Sequence, residues 1–408
     1  MRARKQLIIR KIILCCAGLF LAAGTFGQQP VSVKEVLCTE GFEDIRVTTA
    51  RDTLYLAIED RAHRGTFRGA AVALQRIAEY HNDIQAVEMV LTDYKSPQLI
   101  VHASKREGTW DVSVDRKMEQ ALRELQGATS TAPSTGKIDI TVFPMVSLVN
   151  NKLDHLFDYC VRIAPAFAAT LWKGARITVQ PIFPILHNLD EDESTRYIQI
   201  GNLNLRQEFL STARWQASAT AGFFHAERAG LQAQVTFHAL PGLDLSVDAG
   251  YTYGVNYTHQ KGFGFIRESQ QVNFMARASY YEPHTRLQIQ LQGGRFLYGD
   301  YGGRLDVTRH FGEYAIGLYG ILTAGERNAG FHFAIPMGGK RQKRSAFLRL
   351  RLPEYFAAEY SMQSFFRYWE EKMGQEYVTQ PDLNRAAHHW EPAYVEEYIC
   401  KMLNGNFK

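Results

Sequence analysis

The chain has 408 residues, with 46 Lys+Arg against 42 Asp+Glu and a net charge of +4, so its charge makes no case for a nucleic-acid partner. Its mean hydropathy of −0.25 is that of a soluble protein. A membrane-crossing β-sheet gives the same average, because only alternate residues face lipid.

At the N-terminus, "MRARKQLIIRK" places Arg2, Arg4, Lys5, Arg10 and Lys11 before the apolar run "IILCCAGLFLAAG" and then "TFGQQP". This order predicts a signal peptide over residues 1–27, cut near Gly27–Gln28. The apolar run is short for a membrane span. Cys15 and Cys16 sit too early in it for lipid attachment. Beyond residue 30 no stretch is long and apolar enough for a transmembrane helix. Cys38, Cys160 and Cys400 remain, with no CxxC and no metal-like spacing. A Cys38–Cys400 bridge is left open.

Residues 31–126 predict a small α/β domain. "DIRVTT" and "LYLAIED" read as strands on either side of "ARD". "TFRGAAVALQRIAEY" follows with Phe67, Ala70, Ala71, Leu74, Ile77 and Ala78 at helical spacing, and Thr66 as its expected cap. "AVEMVLTD" and "PQLIVHAS" return to strand, giving β-β-α-β-β. "VDRKMEQALREL" is a further helix. Arg68 and Arg76 stand out on an otherwise Ala-rich helix surface and are expected to dock on a partner or on the barrel rim. "QGATSTAPSTG" supplies a small-residue linker over 127–136.

From Lys137 the period becomes two. "LDLSVDAGYTYGVN" puts Leu243, Leu245, Val247, Ala249, Tyr251, Tyr253 and Val255 on one face. "RLQIQLQ" and "LQAQVTFHA" alternate in the same way. Segments of 9–13 residues exceed the usual globular strand and match tilted membrane-crossing strands. Tight turns ("LPG", "EPHT", "FGE") alternate with longer loops ("ILHNLDEDEST", "YTHQKGFGFIRES"), the connection pattern of an outer-membrane barrel. The expected fold is therefore mainly β: an outer-membrane antiparallel β-barrel of about 12 strands over residues 137–352, with the small ββαββ domain before it. Pro144, Pro165 and Pro181 interrupt the first strands, and alternation slips near Gly201. "SAFLRLRL" (345–352) also alternates and would raise the count to 14. Residues 353–408 predict a periplasmic amphipathic helical tail, with Phe356, Tyr360, Phe366, Trp369 and Met373 at helical spacing, packed on the barrel rim or on the first domain.

Such a barrel has a polar interior. Its predicted lining is Arg162, Arg176, Gln180, Gln216, Gln232, Gln234, His238, Asp244, Asp248, Arg277, Gln288, Gln290, Gln292, Arg304, Asp306 and His310. Mutual pairing accounts for any one of them; as a set they also suit a hydrophilic polymer. Tyr251, Tyr253, Tyr280, Tyr281, Tyr298 and Tyr301 are expected in a rim belt. No GxSxG, HExxH or P-loop occurs, and neither a catalytic residue nor a metal or other cofactor is predicted. The "DEDE" run (Asp190–Glu193) could take a divalent cation but reads as a solvated loop. His388–His389 reads as surface. Asp244 and Asp248 are separated by about 13 Å along one strand, too far for a glycosidase carboxylate pair.

"GFEDIRVTTARDTLYLAIEDRAHRGTFRGAAVALQRIA" resembles the periplasmic module of YjbH/GfcD-type proteins. "YGDYGGRLDVTRHF", "IGLYGILTAG" and "AGFHFAIPM" are similar to that family's C-terminal barrel strands. The resemblance covers about residues 38–104 and 286–360, in the right order. Typical members are longer, with additional module and barrel segments. It implies an outer-membrane component of exopolysaccharide or capsule secretion, with membrane lipid, polysaccharide and secretion-system proteins as partners, and with the first domain and the tail in the periplasm. It supplies no catalytic residues.

Overall fold

The computed structural model describes residues 32–106, 108–149, 158–188, 197–224, 228–258, 262–342, 344–345, 347–361, 367–368, 371–382 and 388–405. The predicted signal segment and the Asp190–Glu193 run lie outside them.

Helix α1 (Val33–Glu40) starts at a capping box: Glu35 N donates to Ser32 Oγ (3.2 Å), and Ser32 N donates to Glu35 Oε2 (2.9 Å). It ends at Gly41, whose φ of +100° suits a residue without Cβ. Strands β1 (Glu43–Ala50), β2 (Thr53–Glu59), β3 (Ala86–Asp93), β4 (Ser96–Arg106) and β5 (Thr109–Asp115) form one sheet in sequence order. Helix α2 (Thr66–Tyr80) crosses between the parallel pair β2–β3. Gly65, not Thr66, is its N-cap, without a side-chain cap bond. The predicted β-β-α-β-β order holds, with α1 and β5 added and a short α3 (Glu119–Glu124) after them. Residues 127–136 are tied to this domain. Thr131 bridges Ile45, and Ser134 donates to Asp44 from both N and Oγ.

The second sheet has fourteen strands. β6 (Ile138–Val149), β7 (Asp158–Thr170), β8 (Ala175–His187), β9 (Gln199–Ser211), β10 (Trp215–Phe224), β11 (Arg228–Leu240), β12 (Leu243–Thr258) and β13 (Gly262–Glu282) pair in sequence order. So do β14 (Leu287–Arg295), β15 (Tyr301–Phe311), β16 (Tyr314–Thr323) and β17 (Glu326–Pro336), all antiparallel. Its two edges are β18 (Leu348–Arg351), parallel to β6, and β19 (Tyr355–Ser361), antiparallel to β17. These edge strands are consecutive in the chain, separated by Leu352, Pro353 and Glu354.

Several expectations change here. Pro144, Pro165 and Pro181 do not break the first strands. The β7–β8 pairing skips from Ile163 to Phe167 around Pro165, and the β8–β9 ladder shifts between Gln180 and Pro181, leaving Gly201 as the extra residue. A proline lacks the N–H a ladder needs, so the pairing lapses or shifts beside Pro165 and Pro181, whereas Pro144 lies in the unbroken β6–β7 register opposite Ile163. "YTHQKGFGFIRES" is mostly strand, because β12 reaches Thr258 and β13 begins at Gly262. The helix predicted from residue 353 is wrong over Tyr355–Ser361, so the large sheet extends past 352. Phe356 and Tyr360 are four apart, a spacing shared by a helical face and a strand face, and pairing with β17 decides for strand. The tail is helical later, in α4 (Pro392–Leu403).

Helix α4 lies on the first domain. Tyr394, Val395, Tyr398 and Ile399 join Leu56, Ile58, Phe67 and Leu74 in one buried core. Each such side chain contributes about 1.5–3 kcal/mol when taken from water, enough to hold a 12-residue helix that would be marginal alone.

Candidate functional site

The large sheet is apolar where it is exposed and mainly polar where it is covered, with apolar covered patches in β7 and β16. In β16, Tyr314, Ile316, Leu318 and Leu322 are exposed while Ala315, Tyr319, Ile321 and Thr323 are buried. Leu318 is 66% exposed and its neighbour Tyr319 6%. In β15, Leu305 and Val307 are exposed, while Arg304, Asp306, Thr308 and His310 are buried. Leu203, Leu205, Leu231, Val235, Leu245, Val247, Ile289 and Leu291 continue the exposed apolar face. Asn202, Asn204, Ser218, Thr220, Asp248, Asn273, Gln288 and Gln292 continue the covered one.

Every predicted lining residue is buried or half-buried. Arg304 donates to Asp306 (2.7 and 2.8 Å) and Glu359 (2.8 and 3.1 Å), with its guanidinium 3.8 Å from the Tyr319 ring centroid. Arg277 pairs with Asp248 and donates to Gln292 (2.8 Å). His238 Nδ1 lies 2.7 Å from Asp244. Gln288 faces His310 (3.1 Å), Asn202 donates to Gln180 (2.8 Å) and Arg162 donates to Ser147 (2.9 Å). Asp244 and Asp248 have different partners and do not form a pair. Gly317 leaves the space taken by the His332 ring; a Cβ there would overlap it.

Three parts of the chain cover the polar face. A strap, residues 371–382, runs across it: Gly374 N donates to Asp300 (2.8 Å), Gln292 to Glu376 (2.6 Å) and Asn204 to the Thr379 carbonyl (3.0 Å), and Tyr377 packs on Phe224 at 4.7 Å. The β3–β4 turn enters from the end where the first domain sits. Ser96 and Gln98 donate to Glu208 (2.7 and 3.0 Å), and Gly174 N donates to the Tyr94 carbonyl (2.8 Å). Helix α4 closes the same end, with Arg286–Glu397 at 2.7 Å and Tyr394 Oη donating to the Gly312 carbonyl (2.9 Å).

The first domain is locked to that end by buried ion pairs. Arg64 binds Glu313 with two N–H groups (2.7 and 2.9 Å), and Arg68 adds a third hydrogen bond (3.0 Å). Burial alone would raise the Glu313 pKa, but the hydrogen bonds and charges of Arg64 and Arg68 outweigh it and hold the carboxyl below its usual range. Nearby, Arg344 bridges Glu43 (2.7 Å) and Asp139 (2.9 Å), and Arg349 reaches Glu43 (3.2 Å). Arg68 thus docks on the large sheet's β15–β16 turn, as its placement suggested. Arg76 instead pairs with Glu40 and Glu79.

Between strap, first domain and sheet lies a chamber of about 840 Å³. Of the predicted lining residues, Arg176, Gln216, Gln232, Gln234, His238, Asp244, Arg277, Gln288 and Gln290 face it; Arg162, Gln180, Asp248, Gln292, Arg304, Asp306 and His310 are placed elsewhere on the covered face. Arg206, Glu208, Glu376 and Glu391 also line it and were missed. For Arg206 and Glu208 the signal was available: "NLNLRQE" alternates Asn202, Asn204, Arg206 and Glu208 with Leu203 and Leu205. Glu391 is 8% exposed, and its Oε1 has no hydrogen-bond partner. Burial, opposed by Arg116 and reinforced by Asp244, raises its pKa to about 7.

Tyr251, Tyr280 and Tyr301 are exposed, as a rim requires, and Tyr253 and Tyr298 are half-buried. Tyr281 is not at a rim: it is 4% exposed and packs on Tyr394 and His310. Val255 is buried rather than exposed with the apolar face. His389 is half-buried against Tyr355 and Glu354 rather than at the surface. Cys38, Cys160 and Cys400 are free thiols, so the Cys38–Cys400 bridge is not formed.

No protein-family model, characterised protein or solved structure matches this chain.

Proposed function

We propose that the chain is an outer-membrane β-barrel that holds its first domain and C-terminal helix in the periplasm. On this reading it serves a polysaccharide secretion system as a non-enzymatic component that does not itself conduct polymer. One observation carries the membrane reading: a fourteen-stranded sheet with an apolar exposed face and a polar covered face. Water around such a face would be costly, whereas lipid favours it. Consecutive edge strands β18 and β19, beside β6 and β17, support closure into a barrel. Exposed aromatics support it too. Trp172, Phe209, Trp215, Tyr280, Phe311 and Tyr314 gather near the docked end, and Tyr159, Phe274, Tyr301, Phe331 and Tyr360 lie toward the other. Tyr301 and Phe311, first and last in β15, are about 33 Å apart along the strand. A tilt of about 40° makes that about 25 Å across, the height of an outer-membrane apolar band.

The strap and the docked domain favour a holding role over conduction, since both fill the polar interior. The polysaccharide context rests on the resemblance alone. Membrane fractionation and gel migration with and without heating test the location; recovery as a soluble periplasmic protein ends the barrel reading. Surface polymer compared among intact, domain-deleted and gene-deleted strains tests the role. Both deletions are expected to reduce surface polymer while intracellular synthesis continues. Unchanged surface polymer in the gene-deleted strain, with no related copy in the genome, rejects the secretion role.

A further inference from the structure

Arg176 of β8 and Arg206 of β9 are direct cross-strand partners, and both line the chamber. Like charges directly opposite one another destabilise a sheet, and a covered cation normally has a counter-ion. Here the Arg176 guanidinium lies 4.8 Å from the Tyr94 ring centroid, and its Nε is covered without an acceptor. Among the described residues, neither arginine has a carboxylate within ion-pair distance. The carboxylates nearest in effect are engaged elsewhere: Glu208 by Ser96 and Gln98, and Asp93 by Arg61 at 3.0 Å.

We infer that the Arg176–Arg206 pair is the anion-recognition element of a binding site in this chamber, for a carboxylate carried on a hydroxylated body, the chemistry of a uronic acid. Two guanidinium forks side by side offer the paired donors that a carboxylate accepts. Farther along the wall, Gln216, Gln234, Thr236 and Ser246 face the same space. Amides and hydroxyls both donate and accept, so they can match sugar hydroxyls in either orientation. The volume of about 840 Å³ falls in the range of small-molecule sites. The inference rests on the chamber and not on the membrane reading; fractionation and ligand binding fail independently.

The test uses the full chain in detergent micelles, with glucuronate, glucose and inorganic phosphate as probes in calorimetric titration and thermal unfolding. Glucuronate should bind and raise the melting temperature, with glucose at least tenfold weaker and phosphate weaker than glucuronate. Arg206→Gln and Arg176→Gln should each weaken glucuronate binding at least tenfold. Arg206→Lys keeps the charge, loses the fork and should weaken it less. Without ligand, Arg206→Gln should melt at or above the parent temperature, because it relieves the like-charge pair. Three results would overturn the assignment: no glucuronate binding, phosphate binding as tight as glucuronate, or a ligand-free Arg206→Gln that melts well below the parent.

Discussion

Replacing Glu313 by Gln should loosen the first domain from the large sheet. The carboxylate accepts three hydrogen bonds, from Arg64 (2.7 and 2.9 Å) and Arg68 (3.0 Å), and all three side chains are less than 10% exposed. An amide of the same shape can accept from one guanidinium but turns its NH₂ toward the other, leaving two buried cations without a counter-charge. Removing one partner of a buried pair costs about 3–5 kcal/mol; at the lower end, docking weakens about a hundredfold. Glu79→Gln is the control. Its Arg76 contact is as short, at 2.6 Å, but its side chain is 55% exposed, and such pairs contribute about 0–1 kcal/mol. Hydrogen exchange of strands β1–β5, measured on the full chain in micelles, reads the difference. Equal protection in the two variants would refute the claim that this triad holds the junction. The pH dependence has a definite sign. Because the Glu313 carboxyl is held below its ordinary range, its contribution is complete above an unfolded pKa of about 4.3 and is lost as pH falls through the lower folded value.

Glu391 works in the opposite direction. Its pKa of about 7 lies above the unfolded value, so docking of α4 should weaken by roughly 3–4 kcal/mol as pH rises from about 4.3 to about 7, then level off. Glu391→Gln should flatten that profile in hydrogen exchange of α4. Ile289→Arg, on the exposed face, should destabilise the sheet in lipid by about 2–4 kcal/mol if it lies at mid-membrane; Gln290→Arg, on the covered face, should fold better, and equal yields would contradict the facing. Gly69→Ala should destabilise the first domain by about 1–3 kcal/mol despite alanine's better helix propensity, because the new Cβ overlaps the Asp60 carboxylate, which accepts from Ala62 N (3.0 Å) and His63 N (3.1 Å); a raised melting temperature would refute this.

Alternation made most of the large sheet readable, because it reports directly which side of a strand is covered. Alternation over residues 302–311, 314–324 and 328–336 matches β15, β16 and β17 to within two residues at each end. The early strands were harder. Pro144, Pro165 and Pro181 are local stop signals, and only the pairing reveals that the strands continue through them. Residues 355–361 were misread because the Phe356–Tyr360 spacing suits both periods. The covered-face residues were legible as a set, since polarity alone marks the face. Their partners were not: Arg64 meets Glu313, and Gln292 meets Glu376, across separations that no local pattern encodes. That Arg206 has no carboxylate partner among the described residues is likewise a property of three-dimensional surroundings.

The route of the C-terminus constrains the order of assembly. β19 ascends from the docked end beside β17, Arg367 lies 3.8 Å from Glu326 at the far end, and the strap then returns across the covered face to α4 beside the first domain. If β18 and β19 close the sheet on β6 and β17, the last residues cannot be inserted afterwards through a finished ring. They must already lie inside when the seam joins, so the barrel has to be wrapped around its own tail. A bulky folded fusion after α4 should therefore be tolerated, because the seam closes around residues 371–382 and nothing has to be threaded; a fusion that blocked closure would point to threading instead.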